Sequence, residues 1–372
     1  MNKKTRIAVI GVRGLPATSG GAEGVVENIS VNLVKSGADV TVFCRPHYCE
    51  QKESSYKGVK LRYVPCLNTK HFEAISHTFI CSLIAAFGPY DVVHYHSIGP
   101  SLMSWIPRLL GKRVVATCHG LDWKRDKWGK LAKMFLKLGE KASALFPHVT
   151  TAVSPTLVKY YKDKHNKEVV YIPNGISEIN YAHSPEILTK FDLERDGYIL
   201  YLSRIVPEKR LDLLVDAFDK VDTKKKLVIA GDASHTDDYL RKIKEKVKEN
   251  TNIVFTGPVY GMDKYILFNN AAVFVLPSEL EGMPIVLMEA LAVGCPCLAS
   301  DIEENKAVLE PAPYLKYGEL FKQGKEEDLI EKLNLLLADQ ELRGRYQSLG
   351  PEYVFTQFNW EKIVKKYSEI IS

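Results

Sequence analysis

Short apolar runs alternate with amphipathic segments along the whole chain. Runs at 7–10, 40–44, 61–64, 92–95, 114–118, 150–153 and 169–172 have the four or five residues of a buried strand. Helical spacing fills most of the gaps, at 23–35, 102–110, 131–145 and 155–164, and the most apolar stretch, 78–88, reads as a core helix. The alternation restarts at 198–203, with further strands at 227–230, 253–255, 273–276 and 296–299. Helices at 211–221, 239–249, 262–269 and 285–293 separate them. Alternation of this kind builds parallel sheets of the α/β class. Periodicity fades between Gly175 and Tyr198. The pattern therefore predicts two Rossmann-like parallel-sheet domains, 1–180 and 181–353, facing across a cleft. A carboxy-terminal helix in 354–372 could return to the first domain. Open parallel sheets take ligands at the carboxyl ends of their strands, so residues just after strands are the candidates for chemistry.

Length and composition suit two soluble cores, and the charge distribution adds more. Residues 1–180 hold 25 Lys+Arg and 13 Asp+Glu, a net of +12; residues 181–372 hold 25 and 32, a net of −7. The two halves should meet different partners. The seven cysteines show no metal or disulfide spacing, and Cys295 and Cys297 read as reduced structural thiols. The run at 7–10 is too short for a signal peptide, and no stretch has the ~18 apolar residues of a membrane span. A cytoplasmic protein is expected.

The densest chemistry lies at 277–296, PSELEGMPIVLMEALAVGCP. Pro284 suits the first helical position, where its missing N–H costs nothing. Gly294 can end the helix in a left-handed conformation. Glu281 then falls in the loop at the helix start, and Glu289 about a turn and a half inside. The positive end of a helix attracts anions, and a carboxylate on either side suits a hydroxyl-rich ligand that carries phosphate.

Other candidates stand at strand tips. Arg204 follows the strand at 198–203, and Lys209 lies a residue or two before the next helix. Together they could neutralise a diphosphate, although a solvated basic turn has the same spacing. The loop GVRGLPATSGGAEG is not a dinucleotide fingerprint, because Gly11 and Gly14 are spaced wrongly and Pro16 interrupts the turn. Gly20 and Gly21 can let amides approach an anion, or simply connect strand to helix. His119, beside Gly120, is either catalytic or an ordinary loop residue. In 123–141, Leu131, Phe135 and Leu138 share a face, with Lys130, Lys133, Lys137 and Lys141 over much of the rest. That segment fits an anionic membrane surface, and equally a helix packed inward with its lysines in water. No nucleic-acid module is recognisable, so no nucleic-acid partner is expected.

Together these segments resemble the retaining glycosyltransferases of family 4, which have the GT-B fold, over nearly the whole chain. The resemblance rests on the Gly-Gly loop, His119-Gly120, IPNG at 172–175, Ser203-Arg204 with Lys209, and the two acids inside PSxxEG and EAxAxGxP. GVRGLPATSGGAE and HGLDWKRDKWG are similar to a branch that builds bacterial surface polysaccharides and includes rhamnosyl transferases. The resemblance implies a nucleotide-diphosphate sugar donor, with uridine diphosphate the leading nucleotide from family prevalence. It implies a glycan or lipid-linked acceptor and no metal or other cofactor; a peripheral place on the inner face of the cytoplasmic membrane is an expectation from the basic first half and the 123–141 segment. Arg204 and Lys209 would contact the diphosphate, with Ser203 beside them. Glu289 would bind the ribose and Glu281 the sugar hydroxyls. Gly282, Met283 and Pro284 would seat sugar and phosphate, Gly20 and Gly21 would lie against the phosphates, and His119 would face the sugar. Ser203 and Arg210 stand where many relatives have Gly, and IEENKAVLEP at 302–311 replaces a Gly-rich donor loop. The alternatives are a nucleotide-sugar epimerase or hydrolase, which would convert donor without acceptor, and a non-catalytic sugar-binding protein.

Overall fold

The computed structural model describes residues 4–17, 21–49, 52–69, 72–179, 186–233 and 236–371. The chain divides into two units, Met1–Gly175 with Phe358–Ser372, and Ile176–Gln357.

In the first unit the apolar runs become β1 (Arg6–Ile10), β2 (Asp39–Cys44), β3 (Ser55–Tyr56), β4 (Val59–Tyr63), β5 (Val92–His96), β6 (Arg113–Cys118), β7 (Val149–Ala152) and β8 (Val170–Tyr171). They form one sheet in the order β3-β4-β2-β1-β5-β6-β7-β8, parallel except where β3 pairs with β4. Helices α1 (Gly21–Lys35), α2 (Glu73–Phe87), α3 (Ile98–Ser101), α4 (Trp105–Leu109), α5 (Lys130–Leu145) and α6 (Pro155–His165) connect the strands. Local sequence sets the ends of α6. Ser154 accepts a hydrogen bond from the Leu157 N–H at 3.3 Å, Pro155 opens the helix, and Asn166 closes it in the left-handed region. The α2 helix is only half a core helix: Cys81 and Ala85 are buried, while Phe79 and Phe87 are exposed.

The second unit opens with α7 (Glu186–Lys190). Its sheet comprises β9 (Tyr198–Leu202), β10 (Lys226–Ala230), β11 (Ile253–Gly257), β12 (Val273–Leu276), β13 (Cys297–Ser300) and β14 (Glu319–Phe321), in the order β11-β10-β9-β12-β13-β14. All of these pairings are parallel. The helices are α8 (Leu211–Phe218), α9 (Asp237–Lys246), α10 (Gly261–Asn270), α11 (Ile285–Ala292), α12 (Glu303–Leu309), α13 (Glu326–Ala338) and α14 (Gln340–Gln357). Gly350 lets α14 close on α11, since a Cβ there would stand 2.9 Å from the Leu291 carbonyl oxygen. The last helix, α15 (Trp360–Ile371), packs with the first unit against α1 and β6. Arg113 Nε and Nη2 donate to the Ile370 carbonyl at 3.0 and 2.8 Å.

Each strand order contains a reversal. From β9 the chain builds outward through β10 and β11, then returns to lay β12 on the other side; β1 plays the same part between β2 and β5. Ligands of open α/β sheets bind beyond the strand ends at such points. Both are closely packed here. A Cβ on Gly11 (φ +120) would stand 2.3 Å from the His96 carbonyl oxygen, and one on Gly231 (φ +156) 1.9 Å from that of Ser203. Only glycine fits either place.

Candidate functional site

In the second unit, β9 and β12 end side by side and deliver most of the candidate residues. Ser203 and Arg204 leave β9, followed by a single helical turn, Pro207–Lys209. Arg210 then takes a left-handed conformation (φ 49) before α8. A glycine would adopt that conformation more easily. Here the Arg210 side chain is engaged instead, by Asp212 at 3.2 Å and by Glu279. The buried Tyr201 hydroxyl donates to the Arg204 carbonyl at 3.1 Å, fixing the strand tip.

The segment after β12 meets this turn. Glu279 N donates to the Glu208 carbonyl at 2.9 Å. The Lys209 ammonium lies against Glu281 Oε1, both side chains being only 9% exposed. Either charge alone would be costly so far from water, and each offsets part of the other's desolvation. Pro284 proves to be the capping residue, one position before the helix, which starts at Ile285. Gly294 ends the turn that follows at φ +69. Glu289 projects from α11 to Lys264 Nζ at 2.7 Å, with the Tyr265 hydroxyl at 3.5 Å. The structure thus joins Lys209 to Glu281, sets Arg204 on the same strand tip, and gives Glu289 a separate cation. Gly282 and Met283 lie in the loop between the acids.

The 302–311 segment forms α12, and its buried Asn305 was no candidate from sequence. Asn305 Nδ2 donates at 3.0 Å to both the carbonyl and the hydroxyl of Ser300, whose hydroxyl donates to the Ser278 carbonyl. These bonds brace the loop that carries Glu281.

In the first unit, Gly20 lies outside the described residues, and Gly21 is the first residue of α1. His119 follows β6, partly exposed, with Nε2 3.1 Å from His96 Nδ1. Behind it, the His94 ring lies tilted against that of His96, centroids 4.0 Å apart, and its Nε2 lies 2.7 Å from the Thr117 hydroxyl. The α15 ring of Tyr367 lies 5.6 Å from His94. Sequence reasoning missed His94 and His96, although two histidines two apart in a strand point to one face. Ser97, directly after them, holds a strained φ of 73. Burial drives His119 down to about 4 and His94, also facing His119, to about 3. Burial and its two neighbours hold His96 well below 6.5.

These imidazoles stay neutral in the folded chain, whereas an unfolded chain protonates them near 6.5. Above that pH they leave stability unchanged. As pH falls from 6.5 towards 4, the unfolded state takes up protons that the folded state refuses, and stability is lost. The melting temperature should fall across this window, and less steeply in His94→Phe. Equal slopes for the two proteins would remove the histidines as the cause.

Among the described residues, one group has metal-ligand chemistry: His47, Cys66 and Glu73, whose donor atoms lie within 4.8 Å of one another. Glu73 Oε1 already accepts from Arg45 and contacts His47, each at 2.9 Å, so an ion-pair cluster accounts for it. Among the described residues, no helix is long and apolar enough to cross a membrane.

Residues 19–178 match the model of "Glycosyltransferase Family 4", and 185–352 that of "Glycosyl transferases group 1". The chain is 26% identical to O-antigen chain mannosyltransferase C of Escherichia coli, over 89% of this chain and 88% of that protein. It is also 26% identical to the phosphatidyl-myo-inositol mannosyltransferase of Mycobacterium leprae, over 76% and 73%. Sucrose-phosphate synthase from Thermosynechococcus elongatus has a similar structure, with TM-score 0.83 at 22% identity, covering 99% and 98% of the two chains. So does Anabaena HepE in complex with UDP and glucose, with TM-score 0.81 at 17% identity and 98% of each chain.

Proposed function

The chain is a glycosyltransferase of the GT-B fold, each half matching a glycosyltransferase family model, and from that premise we propose that it moves a sugar from a nucleoside diphosphate to a hydroxyl of a glycan or lipid-linked acceptor, with retention at the anomeric carbon. The observation that carries this reading is the Lys209–Glu281 pair, which joins the segments that follow β9 and β12, with Arg204 two residues past the end of β9. It is a preformed set of cations and carboxylate where an open α/β sheet takes its ligand. Arg204 and Lys209 meet the diphosphate, Glu281 and the Gly282–Met283–Pro284 backbone the sugar, and Glu289 the ribose.

The bond from the anomeric carbon to the phosphate oxygen breaks as the acceptor oxygen bonds to that carbon on the same face. The acceptor proton passes to the departing phosphate, so no separate base is needed. Fixed cations aimed at charge that grows in the transition state are commonly the largest catalytic factor. We take uridine diphosphate as the nucleotide, the one named with HepE, and rhamnose or a related sugar as the group moved. A lipid-linked acceptor places the enzyme as a peripheral protein at a membrane surface.

The test is to incubate candidate donors with and without acceptor and read the anomeric configuration of the product by NMR. Inversion would refute the mechanism, and donor consumption without acceptor would favour an epimerase or hydrolase. Because Arg204 and Lys209 carry the neutralising role, turnover should persist in excess EDTA. Loss on chelation, restored by a divalent cation, would overturn that assignment.

A further inference from the structure

The sequence left open whether the apolar face of the basic 123–141 segment packs inward. It does not. Helix α5 is pressed on α3 through Gly139, where a Cβ would stand 2.2 Å from the Ile98 carbonyl oxygen. Glu140, Ala142 and Ser143 are buried on that side. Leu131, Met134, Phe135 and Leu138 are instead 66, 48, 38 and 47% exposed. At 3.6 residues per turn, Lys130, Lys133, Lys137 and Lys141 form a second outward strip alongside them.

The lysine strip lines an open pocket of about 600 Å3, closed on its other side by Lys164 and His165 of α6. The one acid in that lining, the buried Glu140, is already compensated by Lys164 at 2.9 Å and His165 at 2.7 Å, and it also accepts from Trp123. Among the described residues, none of the four α5 lysines pairs with an acid; Lys137 lies 4.9 Å over the Trp123 ring. Four uncompensated cations around a pocket, beside a ridge of exposed apolar side chains, match a ligand with phosphate at one end and hydrocarbon at the other.

We infer that the outward face of α5 docks on an anionic lipid bilayer, with lipid phosphates seated in the lysine pocket against α6 and Leu131, Met134, Phe135 and Leu138 in the acyl boundary. This deepens the proposal of a membrane-borne acceptor and is independent of which sugar is moved. The interaction should be electrostatic at long range and weaken with salt, with the apolar ridge holding what remains.

The experiment is co-sedimentation of the full chain with phosphatidylcholine vesicles, with and without phosphatidylglycerol, at low and high salt. Binding is expected only to the phosphatidylglycerol vesicles and should fall with salt. Lys133→Gln/Lys137→Gln should bind roughly 30-fold more weakly, from about 1 kcal/mol for each lysine near the surface. Leu131→Ser/Phe135→Ser should lose the salt-resistant fraction. All four side chains reach solvent, so both variants should melt like the parent. No binding to phosphatidylglycerol vesicles at low salt would overturn the inference, as would parental binding by both variants. So would displacement by inorganic phosphate at the lipid-phosphate concentration, which would make free phosphate the ligand. Titration with uridine diphosphate separates this from the transferase reading. The lysine variant should bind the nucleotide normally, and a chain that binds vesicles without binding any nucleoside diphosphate would sink only the transferase reading.

Discussion

Lys209→Ala should lower kcat by about 10²–10³-fold, equivalent to ~3–4 kcal/mol of lost transition-state stabilisation for one preorganised donor. In the proposed mechanism the ammonium faces charge that grows as the diphosphate departs; Glu281 and the short turn at Pro207–Lys209 hold it in place. The same contact complicates the experiment. With Lys209 gone, Glu281 remains 9% exposed without its cation, and a buried charge deprived of its partner can destabilise a protein by ~3–5 kcal/mol. The decisive variant is therefore Lys209→Ala combined with Glu281→Gln, which removes both charges. Its melting temperature should lie closer to the parent's than that of Lys209→Ala, while turnover stays low. If folded Lys209→Ala turned over at near the parental rate, Lys209 would be a structural cation only.

How much of this was legible follows from what each element depends on. The sheets were readable because parallel strands buried on both faces are short continuous apolar runs: residues 7–10 are at most 1% exposed and nothing polar interrupts them. Residues after strands were good candidates for the same reason, since strand ends are sharp in sequence. The elements α12, β14, α13 and α14 were not readable. In α14, Gly344, Gly350 and Pro351 argue locally against a helix, and contact with α11 decides instead. Partner choice was also hidden. Glu281 and Glu289 lie on one motif, yet one meets Lys209 from the β9 turn and the other Lys264 from α10. Neither pairing has a sequence spacing to reveal it. His94 and His96 left a visible trace, but only the fold shows that His119 stacks on His96 and completes the cluster.

Glu289→Ala should weaken uridine diphosphate about 10–100-fold and leave inorganic pyrophosphate unaffected. A carboxylate accepting from ribose hydroxyls makes charge-assisted hydrogen bonds worth roughly 1.5–3 kcal/mol each, and pyrophosphate has no ribose. Lys264, 2.7 Å away, fixes the carboxylate and offsets its desolvation, so Lys264→Met should weaken the nucleotide in the same direction by a smaller factor. Two features make this contrast informative. Lys209→Ala should weaken both ligands, because its cation is assigned to the phosphates. And kcat in Glu289→Ala should stay near the parental value at saturating donor, because a contact made equally in the ground and transition states changes KM alone. Calorimetric titration of the two ligands into the three variants reads the binding contrasts, and steady-state turnover at saturating donor reads kcat of Glu289→Ala. Equal losses for uridine diphosphate and pyrophosphate in Glu289→Ala would remove Glu289 from the ribose and make the Glu289–Lys264 pair a brace between α10 and α11.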